Sequence, residues 1–591
     1  MPPRKVARKV TQQPIEERKH RRTEKKEGRK RGNKKEKEMV KASLTTTPKP
    51  LTGTQNVVTI DTDEHTEMEE PAISSSHSLI INVNTVFIDI NFSKNSLSEA
   101  SRMVDSELRD FSIEPKGEHD NLRMNSGGRG KKRKVHSLDV STCSTANQTL
   151  NNSTGSSITR RVKKFHLSVE TFLPTEKGDR VLSCGEGEQL GHPGRSTTRK
   201  PRAIGTLPEE KLIIQVVAGG VHSLVLMEDG TVYGCGINEK GTVPGEGIEP
   251  EGSADKLTPI KFNDSLIQRH GKIIMLTAGA SFSAALTEKG SVIAWGNLRG
   301  MSGCIESHET LLQMEKQPMV IVQHQQKVIV KIAAGENHLV MLTENGEVLT
   351  FGDGSVGQLG RCSRVSHIRS QRMVSDSPDS LRISVYDKGK KKLVIFDNIM
   401  AGGFWTAARS IDGTIYVCGL NNFGQLGVPT PETPEDGDNQ PELKIMHPIK
   451  ASAFESTAIV ELSGIQHIVA LNAQGEIYGI GKNTDNALGL GTWSGKEDVD
   501  HWKYSELQKI DISEPIKGIS ASLGCSIVWT DNGNAYSWGY DSSGQLGLGI
   551  KDDEEKMVPR PQKITSAHLD DYRIIGVSLA DNHALFLAKK K

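Results

Sequence analysis

Four histidines are the residues of this 591-residue chain whose type and placing best suit chemistry. His222, His338, His467 and His583 each follow a turn and open an apolar run, as in Ala218-Gly219-Gly220-Val221-His222. An imidazole there could serve as a general base or a metal ligand. Their recurrence at one place in a repeated phrase points instead to satisfied scaffold positions. Phe282 and Trp405 fill two further copies of that place, which suits packing. The seven cysteines form no C-x-x-C pair and no Cys/His spacing suited to zinc, so no metal site is expected. No P-loop, no Gly-x-Ser-x-Gly elbow and no paired-carboxylate motif occurs. The expectation is a protein without covalent catalysis or cofactor, whose function lies on its faces and insertions.

The elements that must position these residues repeat. After the His phrase comes a turn ending in Gly, then a strand closing on Gly, as in Asp229-Gly230-Thr231-Val232-Tyr233-Gly234-Cys235-Gly236. The closing glycines are Gly185, Gly236, Gly296, Gly352, Gly419, Gly481 and Gly539. The first half of the phrase starts near Gly219, Gly279, Gly335, Gly402, Gly464, Ser522 and Ala580. Val181–Gly185 thus lacks a first half, and Val577–Leu587 lacks a second. A repeat of roughly 50 to 65 residues built of short strands and Gly turns reads as a propeller blade. Two complementary half-repeats complete one blade when the ends meet, which removes the exposed sheet edges. The chain is therefore read as all-β, a seven-bladed β-propeller over residues 166–591 behind a long disordered basic tail, residues 1–165.

Charge separates these two regions. Residues 1–50 hold 18 Lys or Arg against 6 Glu and no aromatic residue, a net +12; since the whole chain is +1, residues 51–591 carry −11. Such an arm cannot bury enough apolar surface to fold alone. Beyond keeping the chain soluble, it suits phosphate contact, since Lys and Arg on a tail release counterions from nucleic acid. Lys131, Lys132, Arg133 and Lys134 read as a compact nuclear import signal, which implies an import receptor as partner and the nucleus as location. No run is apolar enough to span a bilayer and no signal peptide opens the chain, so no membrane is expected. Leu79 to Phe92 is apolar enough for a strand; an extra edge strand, a short interaction motif and a gene-model artefact all remain open for it.

Three kinds of residue carry a family resemblance. They are the strand-end phrases such as Val292–Gly296 and Ala535–Gly539, the Gly-Gln-Leu-Gly turns at 357–360, 424–427 and 544–547, and the turn histidines. The repeat resembles the family of the regulator of chromosome condensation, the chromatin-bound exchange factor of the nuclear GTPase Ran. The resemblance implies exchange of GDP for GTP on Ran, in support of nuclear transport, spindle assembly and chromosome condensation. The segment Asn297–Ile305 is similar to the family's wedge, a hairpin pushed into Ran near its phosphate site; this implies GTPase contacts for Leu298, Arg299 and Met301. His467 matches the family's contact His. Glu336 and Asn337 stand where the family reads Gly-x-Asp-His, and Ala280 where it has an Asp. These altered acidic turns keep a second reading open, a nuclear binding module of the same superfamily without exchange activity.

The resemblance also implies chromatin contacts. A basic insertion follows Gly360 and carries Arg361, Arg364, Arg369 and Arg372, then Lys388 and Lys390–Lys392. In the family a loop here takes Arg to the acidic patch of histones, a task suited to the bidentate guanidinium. Arg364, Arg369 and Arg372 are the nucleosome-binding candidates. Removal of Met1 would expose Pro2-Pro3-Arg4, which resembles the x-Pro-Lys/Arg signal for α-N-methylation, so Pro2 is a modification candidate.

Overall fold

The computed structural model describes residues 78–83, 86–91, 165–300, 309–361, 374–381, 384–387, 390–429, 443–495 and 501–591. Contacts divide the chain into two units, residues 1–151 and 152–591. In the first, the apolar stretch is not one strand. Ser78–Val83 and Val86–Asn91 pair antiparallel, with Ser78 opposite Asn91 and Val83 opposite Val86. In the sequence, Asn84 and Thr85 interrupt the apolar run between the two strands.

The second unit holds seven four-stranded antiparallel sheets. Blades 1 to 6 occupy residues 213–259, 273–322, 329–381, 396–450, 459–510 and 516–563. The seventh is shared: Tyr572–Leu579 and His583–Lys590 supply its two inner strands, Arg180–Glu186 and Thr197–Ala203 its two outer ones. Arg180 faces Ala588 and Gly185 faces His583 across the seam. The innermost strand of every blade touches that of both neighbours, blade 7 against blade 1 included, so the ring is closed. Four of the seven second strands, such as His222–Met227, are buried along their whole length, and the other three along most of it, because adjacent blades cover both faces.

The Gly that closes each third strand has a backbone need. All seven have φ between 90° and 121°, a region that a side chain strains. At Gly236 a Cβ would lie 2.4 Å from the Val221 carbonyl oxygen, where the turn that precedes His222 packs onto the strand end.

One segment outside the repeat braces the ring. Residues 165–178 begin at blade 3, where Leu167 N donates to Glu344 O at 2.7 Å. They end at blades 6 and 7, where Glu176 pairs with Lys517 at 2.7 Å and with Arg573. Between them Phe172 lies 5.5 Å from Lys331 Nζ. Hydrogen bonds from Arg573 and Lys517 hold the Glu176 carboxyl down to about 2. The segment thus ties blades on opposite sides of the ring, across the face made by the turns between second and third strands.

Candidate functional site

The turn histidines form a belt of latches between blades. His222 Nε2 lies 2.7 Å from Ser283 Oγ, His338 Nε2 2.9 Å from Thr406 Oγ1, His467 Nε2 2.9 Å from Ser526 Oγ, and His583 Nε2 2.9 Å from Ser223 Oγ. In each case the hydroxyl belongs to the next blade and directly follows that blade's own turn position. Ser223 Oγ donates its proton to Gln189 O, and Thr406 Oγ1 to Gln358 O, both at 2.7 Å. Each of these hydroxyls can therefore only accept from the imidazole N–H. The two glutamines are those of the Gln-Leu-Gly turns, so His, hydroxyl and Gln carbonyl lock one blade onto the next and back again.

Burial depresses all four imidazoles, to about 3 at His222, His338 and His583 and about 4 at His467. They are neutral at pH 7 and serve as scaffold. His467 is 1% exposed. Its side chain is committed to Ser526 in the next blade. Gln466 is half-buried and accepts from Lys482 Nζ at 2.9 Å.

The root of the wedge-like segment lies on the same face. Leu298, expected as a contact, is 1% exposed and packs in the core between blades 2 and 3, against Gly352. Arg299 is partly exposed and donates from NH1 to Glu239 Oε1 at 2.7 Å. The same carboxylate accepts from Asn297 Nδ2 at 3.0 Å and Ser281 Oγ at 2.5 Å. Asn337 is buried and, with its amide turned to donate, reaches Glu336 O at 3.0 Å and Arg299 O at 3.3 Å. It thereby ties the blade 3 turn to the wedge root. Glu336 is half-buried, and its carboxyl rises to about 7 through burial and then the Asp581 charge, with Arg299 offsetting part. Asp581, exposed in the blade 7 turn, accepts from Ser522 Oγ at 2.5 Å. On this face Arg299 is paired with Glu239, and the Glu336 carboxyl feels the charges of both Asp581 and Arg299; neither Glu239 nor Asp581 is marked by a motif.

The basic insertion is two features, not one. The strand Val374–Leu381 runs between them, with Val374 opposite Asp353 and Leu381 opposite Val348. It spans the height of the blade, so Val374 lies at the turn-histidine end while the hairpin Ser384–Asp387/Lys390–Leu393 follows the opposite end. Arg361 is fixed to the blade, Nε donating to Thr350 Oγ1 at 2.9 Å. Met301, Arg364, Arg369, Arg372, Lys131–Lys134 and Pro2 lie outside the described residues. Among the described residues no group of His, Cys, Asp and Glu could hold a metal ion, and no helix is long and apolar enough to cross a membrane.

A closed ring of seven blades sharing its last sheet between the chain ends, with Gln-Leu-Gly turns clamped blade to blade, defines a class of propeller. Residues 180–586 match the family described as the RCC1-like domain, and the chain belongs to it. The human protein named Regulator of chromosome condensation is 30% identical over 444 residues, covering 73% of this chain and 94% of that one. The Saccharomyces cerevisiae guanine nucleotide exchange factor SRM1 is 26% identical over 432 residues, 65% of this chain and 84% of its own. The solved structure of Prp20p from the same yeast, described with its binding properties to Gsp1p and histones, aligns with TM-score 0.60 at 24% identity, over 72% of this chain and 95% of that one. That likeness shows the fold.

Proposed function

We propose that the chain is a guanine nucleotide exchange factor for a Ran-type GTPase and that it works on chromatin. The observation that carries this reading is the composite face where Arg299, at the root of the wedge-like segment, is held by Glu239 beside the Glu336 carboxyl, which also feels Asp581. Exchange needs no covalent step. The factor stabilises the nucleotide-free GTPase and so lowers the barrier to release. Here the segment from Arg299 through Met301 enters the GTPase near its phosphate site, and the carboxylates receive a basic GTPase surface. The acid missing at Ala280 is replaced from another loop, since Glu239 reaches the hydroxyl of Ser281 beside it. Asn337 sets the wedge root rather than supplying charge. Support from relatives lies in the names of the human regulator and the yeast exchange factor.

Chromatin attachment is assigned to the tail, whose cations meet DNA phosphates, and to Arg364, Arg369 and Arg372, which meet the acidic surface of histones. Lys131–Lys134 are assigned to an import receptor, and a methylated Pro2 would fix one further positive charge at the tip.

Release of a fluorescent guanine nucleotide from Ran, with the full chain and with Arg299→Ala, tests the reading. Acceleration by the parent and its loss in the variant are expected. The altered acidic turns, with Ala280 and Asn337 in place of acids, support the second reading, a binding module of the same family without exchange activity. Stable binding of Ran without faster release would establish that reading in place of the first.

A further inference from the structure

The outer strand of the shared blade, Thr197–Ala203, carries Arg199, Lys200 and Arg202. Its ladder with Arg180–Glu186 skips. Ser183 faces Arg202 and Gly185 faces Thr198, so Arg199, Lys200 and Pro201 bow outward opposite Cys184 alone. Extra residues in one strand bend it away from its partner. Beside the bow lies a cleft of about 270 Å³, closed on its far side by Ser566 and His568 from the link between blades 6 and 7.

Its charges are uncommitted. Asp552 occupies Arg199, but among the described residues no carboxylate forms an ion pair with Arg195, Lys200 or Arg202. Arg195, Arg202 and His568 act on one point, because all three oppose protonation of His192, which is buried and held 3.0 Å from Ser183 Oγ. Thr198 lines the same cleft. It is 8% exposed, and its Oγ1 is buried without any hydrogen-bond partner. An orphaned buried hydroxyl calls for an acceptor. All this stands on a body that is otherwise acidic, residues 51–591 carrying −11.

The strand edge itself is taken. Gly549 N donates to Arg199 O at 2.8 Å and Ser566 Oγ to Pro201 O at 2.5 Å, and Pro201 offers no N–H. A peptide therefore cannot add here as a further strand. What remains is a concave site with converging cations, lined in part by Thr198, whose hydroxyl is buried and lacks a partner. We propose that this cleft binds a phosphorylated side chain of a protein partner. A phosphomonoester presents nearly two charges and three terminal oxygens at one point. Arg195 and Arg202 hold those oxygens through guanidinium N–H groups, Lys200 adds a third cation, and Thr198 donates its hydroxyl proton. A nucleic-acid phosphodiester carries one charge and continues on both sides, so it suits a strip of cations better than this convergence. The proposal stands apart from the exchange reading and uses none of its residues.

The test uses the full chain and a fluorescent Gly/Ser peptide bearing one phosphoserine. The same peptide without phosphate and a short DNA duplex are the comparisons. The parent is expected to bind the phosphopeptide at least tenfold tighter than its unmodified form, with inorganic phosphate competing. Arg195→Gln/Arg202→Gln should abolish that preference without changing the melting temperature, and Thr198→Val should reduce it severalfold. Lys131→Gln/Lys132→Gln, in the tail, should leave it intact. Retention of the preference by the double Arg variant overturns the assignment. So does a parent with no preference whose duplex affinity falls in that variant, since the cleft would then be a nucleic-acid contact.

Discussion

Acid should open this propeller well before its surface carboxylates are protonated. Five buried imidazoles, His192, His222, His338, His467 and His583, are lowered to about 3 or 4 from an ordinary value of 6.5. A His lowered by folding is neutral in the fold and takes a proton on unfolding. Its contribution is complete above the unfolded value and is lost as pH falls from 6.5 toward the folded value. Glu336 and Glu461 work the other way. Each rises to about 7 through burial, so each holds a proton in the fold that the unfolded chain releases, and each gains stability as pH falls from 7 to 4.5. Glu176, Glu476 and Glu514, held near 2 by their hydrogen-bond partners, stay ionised in the fold throughout. At pH 6.5 the unfolded imidazoles are half protonated and the net uptake is about one proton; near pH 5.5 almost five taken up against almost two released leave about three, each worth about 1.4 kcal/mol per pH unit. The loss is therefore on the order of 4 kcal/mol per unit, large beside a typical stability of about 5–15 kcal/mol. Urea unfolding at pH 7.0, 6.5, 6.0 and 5.5 reads the slope. His467→Phe, which copies the residue found at Phe282, should remove about one proton from it. A stability that is flat or rising from pH 6.5 to 5.5 refutes the linkage, whatever the fold.

The latch itself should be visible as a coupling energy. Ser526→Ala orphans the His467 N–H and should cost about 1–3 kcal/mol, while adding it to His467→Phe should cost less than it does alone; additive costs would mean that the two side chains do not interact. Ring closure predicts that deletion of residues 180–191 melts the whole propeller, whereas deletion of residues 1–160 leaves its thermal unfolding nearly unchanged; equal melting of the short deletion and the parent would count against the shared blade. Glu239→Gln should loosen Arg299 and slow nucleotide release from Ran several-fold with little change in melting, and an unchanged rate would remove Glu239 from the interaction face. Replacing Arg364, Arg369 and Arg372 together by Gln should weaken nucleosome binding and spare duplex DNA, read by gel shift; loss of DNA binding instead would make the loop a phosphate contact.

The ring was legible because its signals are backbone signals. Seven closing glycines in register mark seven strand ends, and two unmatched half-repeats mark the seam that the pairing of Arg180–Glu186 with His583–Lys590 closes. Side-chain roles were harder to read, since a residue's neighbour in the sequence says little about its neighbour across a blade. Leu298 and His467 look like surface residues when aligned beside a wedge and a turn, yet burial between blades claims both. Glu239 carries no motif because it reaches the turn-histidine face from the preceding blade's loop, roughly forty residues before the turn it serves. The basic insertion reads as one cluster until Val374–Leu381 is seen to run through it as a strand.

One rule was nevertheless written in the sequence. The residue after the turn position is Ser223, Ser283, Leu339, Thr406, Ile468, Ser526 or Ala584. Hydroxyls occur in the four blades that follow a His, namely after His583, His222, His338 and His467. The three blades that follow Phe282, Trp405 and Cys525 carry Leu, Ile and Ala instead. A buried imidazole N–H must find an acceptor, and a buried hydroxyl must find a donor or a carbonyl. That requirement couples a residue in one blade to a residue about sixty positions later, or across the seam in the case of His583 and Ser223, and leaves apolar pairs where neither is present. The pairing appears only when the repeats are compared one step out of phase, and it identifies the histidines as latches from the chain alone.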